Sequence, residues 1–460
     1  MNKALLGIDL GTSSIKVLLY HPNGHIEKTK VAYEEISPSG WLNAMKKALR
    51  LLDLAEVGAV GLSSQTGTYV VNGERVIAWS DPAGKAELAA IRDTFSRETF
   101  LSQIGMPHPA IASYPLPRLC YIKSRFKSVQ TVCQPKDLML TFLTGVYKSD
   151  VWTWRGLAHP ETGKYSEALL SALGLDLKWL PTLVGAEDVA GTVTKQASLE
   201  TGLPAGTPVV TGLNDFFAGL VGMGVPTLSP LFDITGTSEH FGTVTGNFAK
   251  DTEMVSGQFL TDFVHYGGTA SSGTSLTFAL RELGAPSGEI STYLAKDPPI
   301  FLPYLNGERA PVFDPHARGV FFGLDKDTKK EEMAYAVLEG VAFSIYHIAR
   351  HLGALPAGEI LLGGGAACDP LLGAIKATLF DRPFVTLCES DTSALGAAMI
   401  AGLGTECFED LAAAVAACVR RQSTYHPAPE WRDKLLRRFA VYEKLYRSIK
   451  PLFEEWKEIS

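Results

Sequence analysis

Short apolar runs separated by turn-forming residues open the chain. Residues 4–10 (ALLGIDL) and 15–20 (IKVLLY) flank the tetrapeptide GTSS, and a second turn, PNG at 22–24, leads into HIEKTKVAYEEI at 25–36. Apolar runs of this length with glycine, serine and asparagine between them are typical of strands joined by tight turns. The pattern predicts an antiparallel strand meander over residues 4–36.

Helical and strand periodicities then alternate along the chain. Residues 41–54 (WLNAMKKALRLLDL) carry apolar side chains at nearly every third or fourth position, as a helix does, and residues 57–64 (VGAVGLSS) follow as a strand. The stretch from Ser96 to Leu180 is mostly helical in pattern and is typical of an insertion that shapes a pocket. Alternating strands and helices predict an α/β fold.

The second half of the chain repeats this order. LFDITGTSEHFG at 231–242 restarts the opening pattern, and a strand meander is predicted from Leu231 to Phe263. Later segments predict helices at SLTFALREL and EEMAYAVLEGVAFSIYHIARHL, a strand, turn and helix in EILLGGGAACDPLLGAIKATLF, and a final helix pair ending in PEWRDKLLRRFAVYEKLYRSIKPLFEEWKE. The repeat predicts two domains, residues 1–225 and 226–460, joined by a hinge.

The composition of the chain indicates which kinds of binding partner are expected. The 460 residues are 46% hydrophobic and 20% charged, with a net charge of −7 and a pI near 5.9. Binding to nucleic acid requires a basic face, so a nucleic-acid partner is not expected. Six scattered cysteines without a C-x-x-C pair favour reduced thiols. No apolar run reaches membrane-spanning length, and the apolar start runs straight into Asp9, so we expect a cytoplasmic protein without a membrane partner.

The two GTS turns are candidate phosphate sites. Gly11, Thr12 and Ser13 place backbone N–H groups and hydroxyls at a hairpin tip, where a glycine lets the backbone approach a ligand. Asp9 lies on the same face of the strand as Gly11 and is a candidate ligand of Mg²⁺, and Lys16 is a candidate phosphate partner. An ordinary hairpin is the alternative for this turn alone.

The second turn, Gly236, Thr237 and Ser238, strengthens the phosphate hypothesis, because two such tips could hold a polyphosphate from both sides. The halves would have to approach each other for this to happen. Asp233 stands three residues before its glycine, so in a regular strand it faces the other side. We interpret Asp233 as a solvent or packing residue.

Two further features are candidates for the rest of the site. Gly363, Gly364 and Gly365 form a turn bare enough for an adenine ring, although helix–sheet packing also selects small residues there. Asp215 follows an apolar strand and opens a helix, where an acid often serves only as an N-cap. Its position alone leaves both a cap and a catalytic carboxylate open.

In its ordered motifs the chain resembles the FGGY family of carbohydrate kinases, of the actin-like ATPase superfamily. The resemblance covers nearly the whole length and is carried by GIDLGTSSIKVLLY, SSQTGTYVV followed by AWSD, LTG, GTPVVTGLNDFFAGLVGMG, ITGTS, PYLNGERAPVFDPHARGVFFGL, LLGGGAACDPLLGAIKATLF and ALGAAMIAG. It implies two actin-like (ribonuclease H-like) domains, each a mixed five-stranded sheet flanked by helices, with a cleft between them.

The resemblance also implies a reaction and its residues. It implies ATP-dependent phosphorylation of a hydroxyl of a small sugar, ketose or polyol, with Asp215 as the general base and Asp9 positioning Mg²⁺. The implied phosphate contacts are Gly11, Thr12, Ser13, Lys16, Gly236, Thr237 and Ser238, and the implied adenosine contacts are Gly363, Gly364 and Gly365. The implied acceptor contacts are Gln65, Thr66, Trp79, Asp81 and Asp215. A homodimer is compatible with this class.

The chain departs from the family at the acceptor site. Many members read W-x-D-x-R, whereas this chain reads W-S-D-P-A over 79–83 and so has no arginine at Ala83. Phe216 follows the candidate base where Asn or Gln is frequent, and the segment after LTG carries Trp152 and Trp154. We expect an acceptor other than xylulose or glycerol, unless both tryptophans only pack the inserted helices.

Two alternatives remain open for function. One is an ATP-binding sensor of the actin-like group, and the other is a degenerate kinase kept for regulation. A sensor requires neither an acceptor pocket nor a base, and both Asp9 and Asp215 are present. For Glu308 and Arg309 we favour a brace of a rigid, proline-containing loop or an interdomain ion pair over a catalytic role.

Overall fold

The computed structural model describes residues 3–106, 109, 111–159, 162–248 and 254–459. The chain forms two compact units. The first comprises Met1–Leu228, Gly257–Phe263 and Asp391–Val419, and the second comprises Ser229–Ser256, Val264–Ser390 and Arg420–Ser460. A single boundary at residue 225 therefore does not describe the compact units, because two later segments pack with the first.

The strands are numbered in chain order. They are β1 Ala4–Leu10, β2 Ser14–Tyr20, β3 Ile26–Ala32, β4 Val57–Ser64, β5 Tyr69–Val71, β6 Arg75–Ile77, β7 Val132–Cys133, β8 Lys148–Asp150, β9 Thr182–Val184, β10 Val189–Thr192, β11 Pro208–Val210, β12 Leu213–Asn214, β13 Leu231–Thr235, β14 His240–Thr245, β15 Val255–Phe259, β16 Asp262–Gly268, β17 Ile300–Leu302, β18 Val320–Phe322, β19 Ile360–Gly364, β20 Phe384–Leu387 and β21 Arg421–Tyr425.

The helices are numbered in the same way. They are α1 Pro38–Leu49, α2 Lys85–Thr94, α3 Arg97–Ile104, α4 Pro115–Arg125, α5 Pro135–Thr144, α6 Glu167–Ala172, α7 Lys195–Thr201, α8 Asp215–Gly222, α9 Ser272–Glu282, α10 Ile290–Leu294, α11 Lys330–Leu352, α12 Pro370–Phe380, α13 Thr392–Gly404, α14 Leu411–Cys418 and α15 Pro429–Ile459, with a single 3₁₀ turn over Leu177–Trp179 in the described chain.

The first unit is built on a mixed sheet. Strands β1, β2 and β3 form the predicted antiparallel meander, and β4 and β11 extend it in parallel with β1, in the order β11-β4-β1-β2-β3. In the described part of the chain β10 and β12 join these five central strands, β10 at the edge and β12 beside β4. The five-stranded α/β unit predicted from the sequence is therefore present with two additional strands.

The second unit has the same core order. Strands β16-β14-β13-β19-β20 are central, and β15 and β21 lie at the two edges of the sheet in the described chain. The predicted meander over 231–263 is wrong in one respect, since β14 pairs with β16 and not with β15. Residues 264–267 of β16 are all buried, and β15 is a shorter strand that occupies the edge.

Small residues allow two helices of the first unit to pack in backbone contact. A Cβ on Gly396 of α13 would lie 1.8 Å from the carbonyl oxygen of Ala218 in α8, and a Cβ on Gly222 of α8 would lie 2.0 Å from that of Thr392. Any larger side chain would separate the helices. Helix α13 thereby fixes α8, the helix that begins at Asp215.

The hydrophobic cores confirm most of the predicted elements. In the first unit Leu6, Ile8 and Val17 of the meander pack on Trp41 of α1, and in the second unit the 23-residue helix α11 is buried along most of its length. At the end of the chain β21 stands between α14 and α15, and the last segment forms one helix that continues through Pro451.

No helix in the described part of the chain has both the length and the apolar character needed to cross a membrane.

Candidate active site

Three parallel strands of the first unit end at one edge of the sheet. Asp9 of β1 is in register with Ser63 of β4, and Ser63 is in register with Leu213 of β12. The chain leaves these strands at Gly11, Gln65 and Asp215. Ligands of open α/β sheets bind outside the carboxyl ends of the strands. This edge therefore collects three of the predicted site segments.

Asp215 is the first residue of α8 and does not cap it. Asn214 is the N-cap, and its Oδ1 accepts a hydrogen bond from Phe217 N at 3.1 Å. The Oδ1 atom of Asp215 accepts from Phe216 N at 2.8 Å. Burial raises the pKa of Asp215 to about 7, and the nearby Asp9 carboxylate contributes to this rise. The cap alternative is wrong because the preceding asparagine performs that role.

Asp9 is a buried carboxylate with one side-chain donor. Ser63 Oγ donates to its Oδ1 at 2.9 Å. Burial raises the pKa of Asp9, and the Lys16 ammonium group opposes that rise. The described residues contain no cluster of three or more His, Cys, Asp or Glu side chains suited to a metal. A magnesium ion bound here would therefore take most of its ligands from phosphate oxygens and water, as this ion often does.

The first hairpin tip is exposed and internally bonded. Gly11 N donates to Ser14 O at 3.0 Å, and Tyr33 Oη donates to Gly11 O at 2.5 Å. Thr12 and Ser13 are exposed to solvent. The hydroxyls of this tip are thus accessible to a ligand, as the phosphate hypothesis requires.

Lys16 has a partner that the sequence did not suggest. Its Nζ lies 2.8 Å from Asp391 Oδ1, and Lys28 Nζ lies 3.3 Å from the other carboxylate oxygen. Asp391 immediately precedes α13, which carries the ALGAAMIAG motif. No local pattern links two residues so far apart in the chain. A phosphate group at Lys16 would share the ammonium group with Asp391 or displace that carboxylate.

The predicted acceptor residues lie in two connected loops. Gln65 is buried, and its Oε1 accepts no hydrogen bond from the described residues. Thr66 is exposed and donates to Gln134 Oε1 at 3.3 Å. Trp79 is 47% exposed, and its backbone N donates to Thr68 Oγ1 at 3.0 Å. This bond connects the loop after β4 with the loop that carries Trp79 and Asp81.

A buried arginine supports the Trp79–Asp81 loop from below. Nη2 of Arg118 donates to the carbonyl oxygens of Ala78, Trp79 and Asp81 at 2.9, 3.3 and 2.9 Å. Its side chain has no exposed surface, and burial lowers its pKa. Nε and Nη1 have no acceptor among the described residues. Arg118 was missed although it stands among apolar residues of α4, a pattern that indicates a buried charge.

The two tryptophans differ in their surroundings. Trp154 is fully buried between the rings of Tyr69 and Tyr165, at 5.9 and 5.8 Å, so the packing alternative is confirmed for it. Trp152 is 8% exposed, and its Nε1 donates to Gln258 O at 2.5 Å. Its ring lies 6.4 Å from that of Phe217 in α8. Trp152 therefore packs against the helix of Asp215, whereas Trp154 packs between two tyrosine rings of the first unit.

The second unit brings two predicted nucleotide elements together. Strands β13 and β19 are parallel, with Thr235 in register with Gly364, so the Gly236–Ser238 tip and the triple-glycine turn leave the same edge of the sheet. Gly364 has a φ of +90°, and a Cβ there would lie 1.8 Å from Thr235 O. Only glycine fits this position. Gly365 has open space where a Cβ would stand.

Asp233 is a buried charge and not a solvent residue. The pairing of β13 with β14 is regular from Leu231 to Ile234, and the side chain of Asp233 has no exposed surface. Its Oδ2 lies 2.7 Å from Lys376 Nζ, which also binds Glu239. Burial raises the pKa of Asp233, and the Glu239 carboxylate raises it further. Asp233 therefore differs from Asp9 in its partner, because a buried ammonium group binds the Asp233 carboxylate whereas a serine hydroxyl donates to the Asp9 carboxylate.

Glu308 and Arg309 brace a loop within the second unit. Glu308 Oε1 accepts from the backbone N of Ala270 and of Arg309 at 2.6 and 2.8 Å, and Arg309 Nε donates to Thr269 O at 3.0 Å. Burial raises the pKa of Glu308 to about 7. These bonds hold the segment before α9, in agreement with the predicted brace.

Comparison with known proteins defines the class. Solved structures of carbohydrate kinases share the fold of this chain, and family models identify its family. The model for the FGGY family of carbohydrate kinases, N-terminal domain, matches residues 4–222, and that for the C-terminal domain matches residues 232–405. The chain belongs to the FGGY family of carbohydrate kinases. It is therefore a kinase that phosphorylates an alcohol group of its acceptor with ATP.

Individual relatives are similar over the full length. The chain is 25% identical to the xylulose kinase of Bacillus subtilis (strain 168), with 98% of each chain covered. Its fold is similar to that of the ligand-bound xylulose kinase from Lactobacillus acidophilus, with a TM-score of 0.87, 21% identity, and 99% and 100% of the chains covered. Its fold is also similar to that of the gluconate kinase from Lactobacillus acidophilus, with a TM-score of 0.86 and 21% identity. The similarity covers 99% of this chain and 99% of that chain.

Proposed function

We propose that this kinase transfers the γ-phosphoryl group of Mg-ATP to a hydroxyl of a small ketose, polyol or related sugar, with Asp215 as the general base. The observation that carries the assignment is the placement of Asp215. It stands at the carboxyl end of β12, its Oδ1 is oriented by Phe216 N, and Asp9 lies close enough to raise its pKa. A partly buried carboxylate with a pKa near 7 is suited to accept a proton at neutral pH.

In this mechanism the chain's residues align the reactants and receive one proton. Asp215 takes the proton of the acceptor hydroxyl as that oxygen attacks phosphorus. In the first unit the phosphate oxygens of ATP are bound by the exposed hydroxyls of Thr12 and Ser13 and by the Lys16 ammonium group. In the second unit the Gly236–Ser238 tip and Gly363–Gly365 bind phosphate and adenosine. Phosphoryl transfer demands positioning and charge neutralisation more than covalent chemistry.

Asp9 is the residue we assign to magnesium. Its carboxylate is buried beside Asp215, and two neighbouring carboxylates are stabilised by a cation. A magnesium ion bound there would neutralise the charge that develops on the transferred phosphate. Asp9 would hold its hydration shell through one carboxylate.

We infer the class of acceptor from the names of the relatives and from the positions at which this chain departs from the family pattern. Xylulose is the acceptor named for several similar relatives, and gluconate is named for another. Ala83 and Phe216 replace polar side chains of the family pattern, which supports an acceptor with fewer polar contacts at these two positions. Gln65, Thr66, Trp79 and Asp81 are the residues we assign to it.

The test is a screen with one variant beside the wild type. ADP release is measured by a coupled assay over pentuloses, hexuloses, heptuloses, polyols and aldonates. With the acceptor that turns over, Asp215→Asn is expected to lower kcat by about 10²- to 10⁴-fold with little change in either KM, because the base is lost but the hydrogen-bonding shape is kept.

Asp410→Asn is the matched control. Asp410 caps α14 in the same unit, with its Oδ1 2.8 Å from Ala413 N, and asparagine caps equally well. This variant should keep full activity. Undiminished turnover by Asp215→Asn would refute the assignment of the base, and the absence of turnover with every acceptor class would refute the proposed reaction.

A further inference from the structure

Three elements of the second unit meet at the tip of the β13–β14 hairpin. Thr237 O accepts from Gly273 N at 3.1 Å in the first turn of α9, and a Cβ on Gly273 would lie 2.1 Å from Gly236 O. Thr235 binds the triple-glycine turn, since its Oγ1 donates to Gly363 O at 3.0 Å and accepts from Ala366 N at 2.9 Å. The tip, α9 and the glycine turn are thus in direct contact.

One buried ammonium group lies beneath this junction. Lys376 of α12 donates to Asp233 Oδ2 at 2.7 Å and to Glu239 Oε1, and none of the three side chains has exposed surface. Asp233 precedes the tip on β13, and Glu239 follows it directly. Ser272 Oγ donates to the other oxygen of Glu239. Lys376 therefore connects α12, which follows the glycine turn, with both sides of the hairpin and with α9.

The charges make this connection strong. Two carboxylates buried side by side repel each other, and removing the cation between them leaves buried negative charge without an ionic partner. Among the described residues, Lys376 is the only cation shown in contact with either carboxylate. Its loss should therefore displace the residues that carry the carboxylates, and these flank the hairpin tip.

We propose that Lys376 is a positioning residue for the nucleotide, because it fixes the Gly236–Ser238 tip against the triple-glycine turn through Asp233 and Glu239. Lys376 touches no reacting atom and acts on nucleotide binding and not on the acceptor. The inference rests on the proposed function, which assigns phosphate to the tip and adenosine to the glycine turn.

Direct nucleotide binding provides the test, because it requires no acceptor. Titration calorimetry with Mg-ADP is performed on the wild type and on Lys376→Met, and the KM values for ATP and acceptor are measured where turnover permits. We expect Lys376→Met to weaken Mg-ADP binding and to raise the KM for ATP at least tenfold, with the acceptor KM within twofold of the wild type. Binding within twofold in a folded variant would overturn the inference.

A second variant keeps the test decisive if Lys376→Met does not fold. The triple variant Lys376→Met/Asp233→Asn/Glu239→Gln removes the repulsion together with the bridge, so the fold should be retained while α12 loses its bond to the hairpin. Mg-ADP binding should then be at least threefold weaker than in the wild type. An unchanged affinity would show that the bridge does not position the tip.

Arg438→Met is the matched control for general destabilisation. Arg438 of α15 binds Glu339 of α11 at 2.8 and 2.7 Å in the same unit and donates to Pro299 O, and these bonds involve no residue of the β13–β14 hairpin. This variant should lower Tm while Mg-ADP binding stays within twofold. An equal loss of binding in Arg438→Met would overturn the inference. Failure of the wild type to bind Mg-ADP would instead contradict the proposed function.

Discussion

At the scale of single residues, the ionisation of Asp215 makes the pH dependence of the reaction predictable. Burial raises its pKa to about 7, and only the deprotonated carboxylate accepts a proton. We therefore expect kcat/KM to rise with pH through about 7 and to fall tenfold per unit below it. A profile measured from pH 5.5 to 9 checks this. A kcat/KM that stays constant from neutral pH to below pH 6 would contradict a pKa near 7 for Asp215.

Arg118 gives a second prediction at this scale. Its Nη2 holds three carbonyl oxygens of the loop that bears Trp79 and Asp81, so loss of the guanidinium group should loosen the acceptor residues. We expect Arg118→Met to raise the acceptor KM at least fivefold while the KM for ATP is unchanged, and Arg118→Lys to restore part of the affinity. Equal changes in both KM values would indicate general destabilisation.

The residues that sequence analysis missed have distant partners. Asp391 binds Lys16 and Lys376 binds Asp233, and each pair is separated by more than 140 residues in the chain. Such contacts exist only after the sheet and helices have assembled. Asp9 and Asp215 were identified because they stand next to glycine turns and strand ends, where local pattern and family resemblance coincide.

At the scale of elements, two glycines of the triple-glycine turn differ in their surroundings, since Gly364 lies against Thr235 and Gly365 has open space beside it. Gly364→Ala places a Cβ against Thr235 O at a positive φ, so we expect a loss of roughly 1–3 kcal/mol in unfolding free energy. Gly365→Ala is the matched variant. It has open space and should leave Tm unchanged, but it should raise the KM for ATP if adenosine lies against the turn.

Thermal and denaturant unfolding, together with the KM for ATP, check both variants. An unchanged stability of Gly364→Ala would contradict the close approach of β13 and β19. An unchanged KM for ATP in Gly365→Ala would argue against an adenosine site at this turn.

Elements with strong local signals were predicted well. The meander over β1–β3, helix α11, and the unit β19–turn–α12 match the apolar periodicity of their sequences. The pairing of β14 with β16 was not predicted, because hydrophobic alternation defines a strand's faces but not its neighbour. Strand β21 was missed since four of its five residues are exposed and it carries no apolar run.

At the scale of the whole molecule, both units bury a lysine between two carboxylates. Lys136 Nζ lies 2.9 Å from Asp137 Oδ1 and 3.1 Å from Asp150 Oδ2 in the first unit, and Lys376 has the equivalent arrangement in the second. Lys136 also donates to Thr211 O at 3.0 Å, shortly before Asp215. Each unit therefore contains a buried ionic cluster near the segment to which we assign chemistry.

We assign the acceptor residues to the first unit and the adenosine turn to the second, and this assignment predicts where each ligand slows amide hydrogen exchange. A ligand present at 100 times its Kd stabilises the state it binds by about 2.7 kcal/mol, so exchange that requires its release slows about 100-fold. Mg-ADP alone should protect residues 235–239 and 363–366 of the second unit, because the tip and the glycine turn leave one sheet edge. The acceptor alone should protect residues 65–68 and 78–81 of the first unit, which the Thr68–Trp79 bond connects. Hydrogen exchange measured by mass spectrometry with each ligand in turn shows which segments that ligand protects. Protection of residues 363–366 by the acceptor but not by Mg-ADP would reverse the assignment of the two sites.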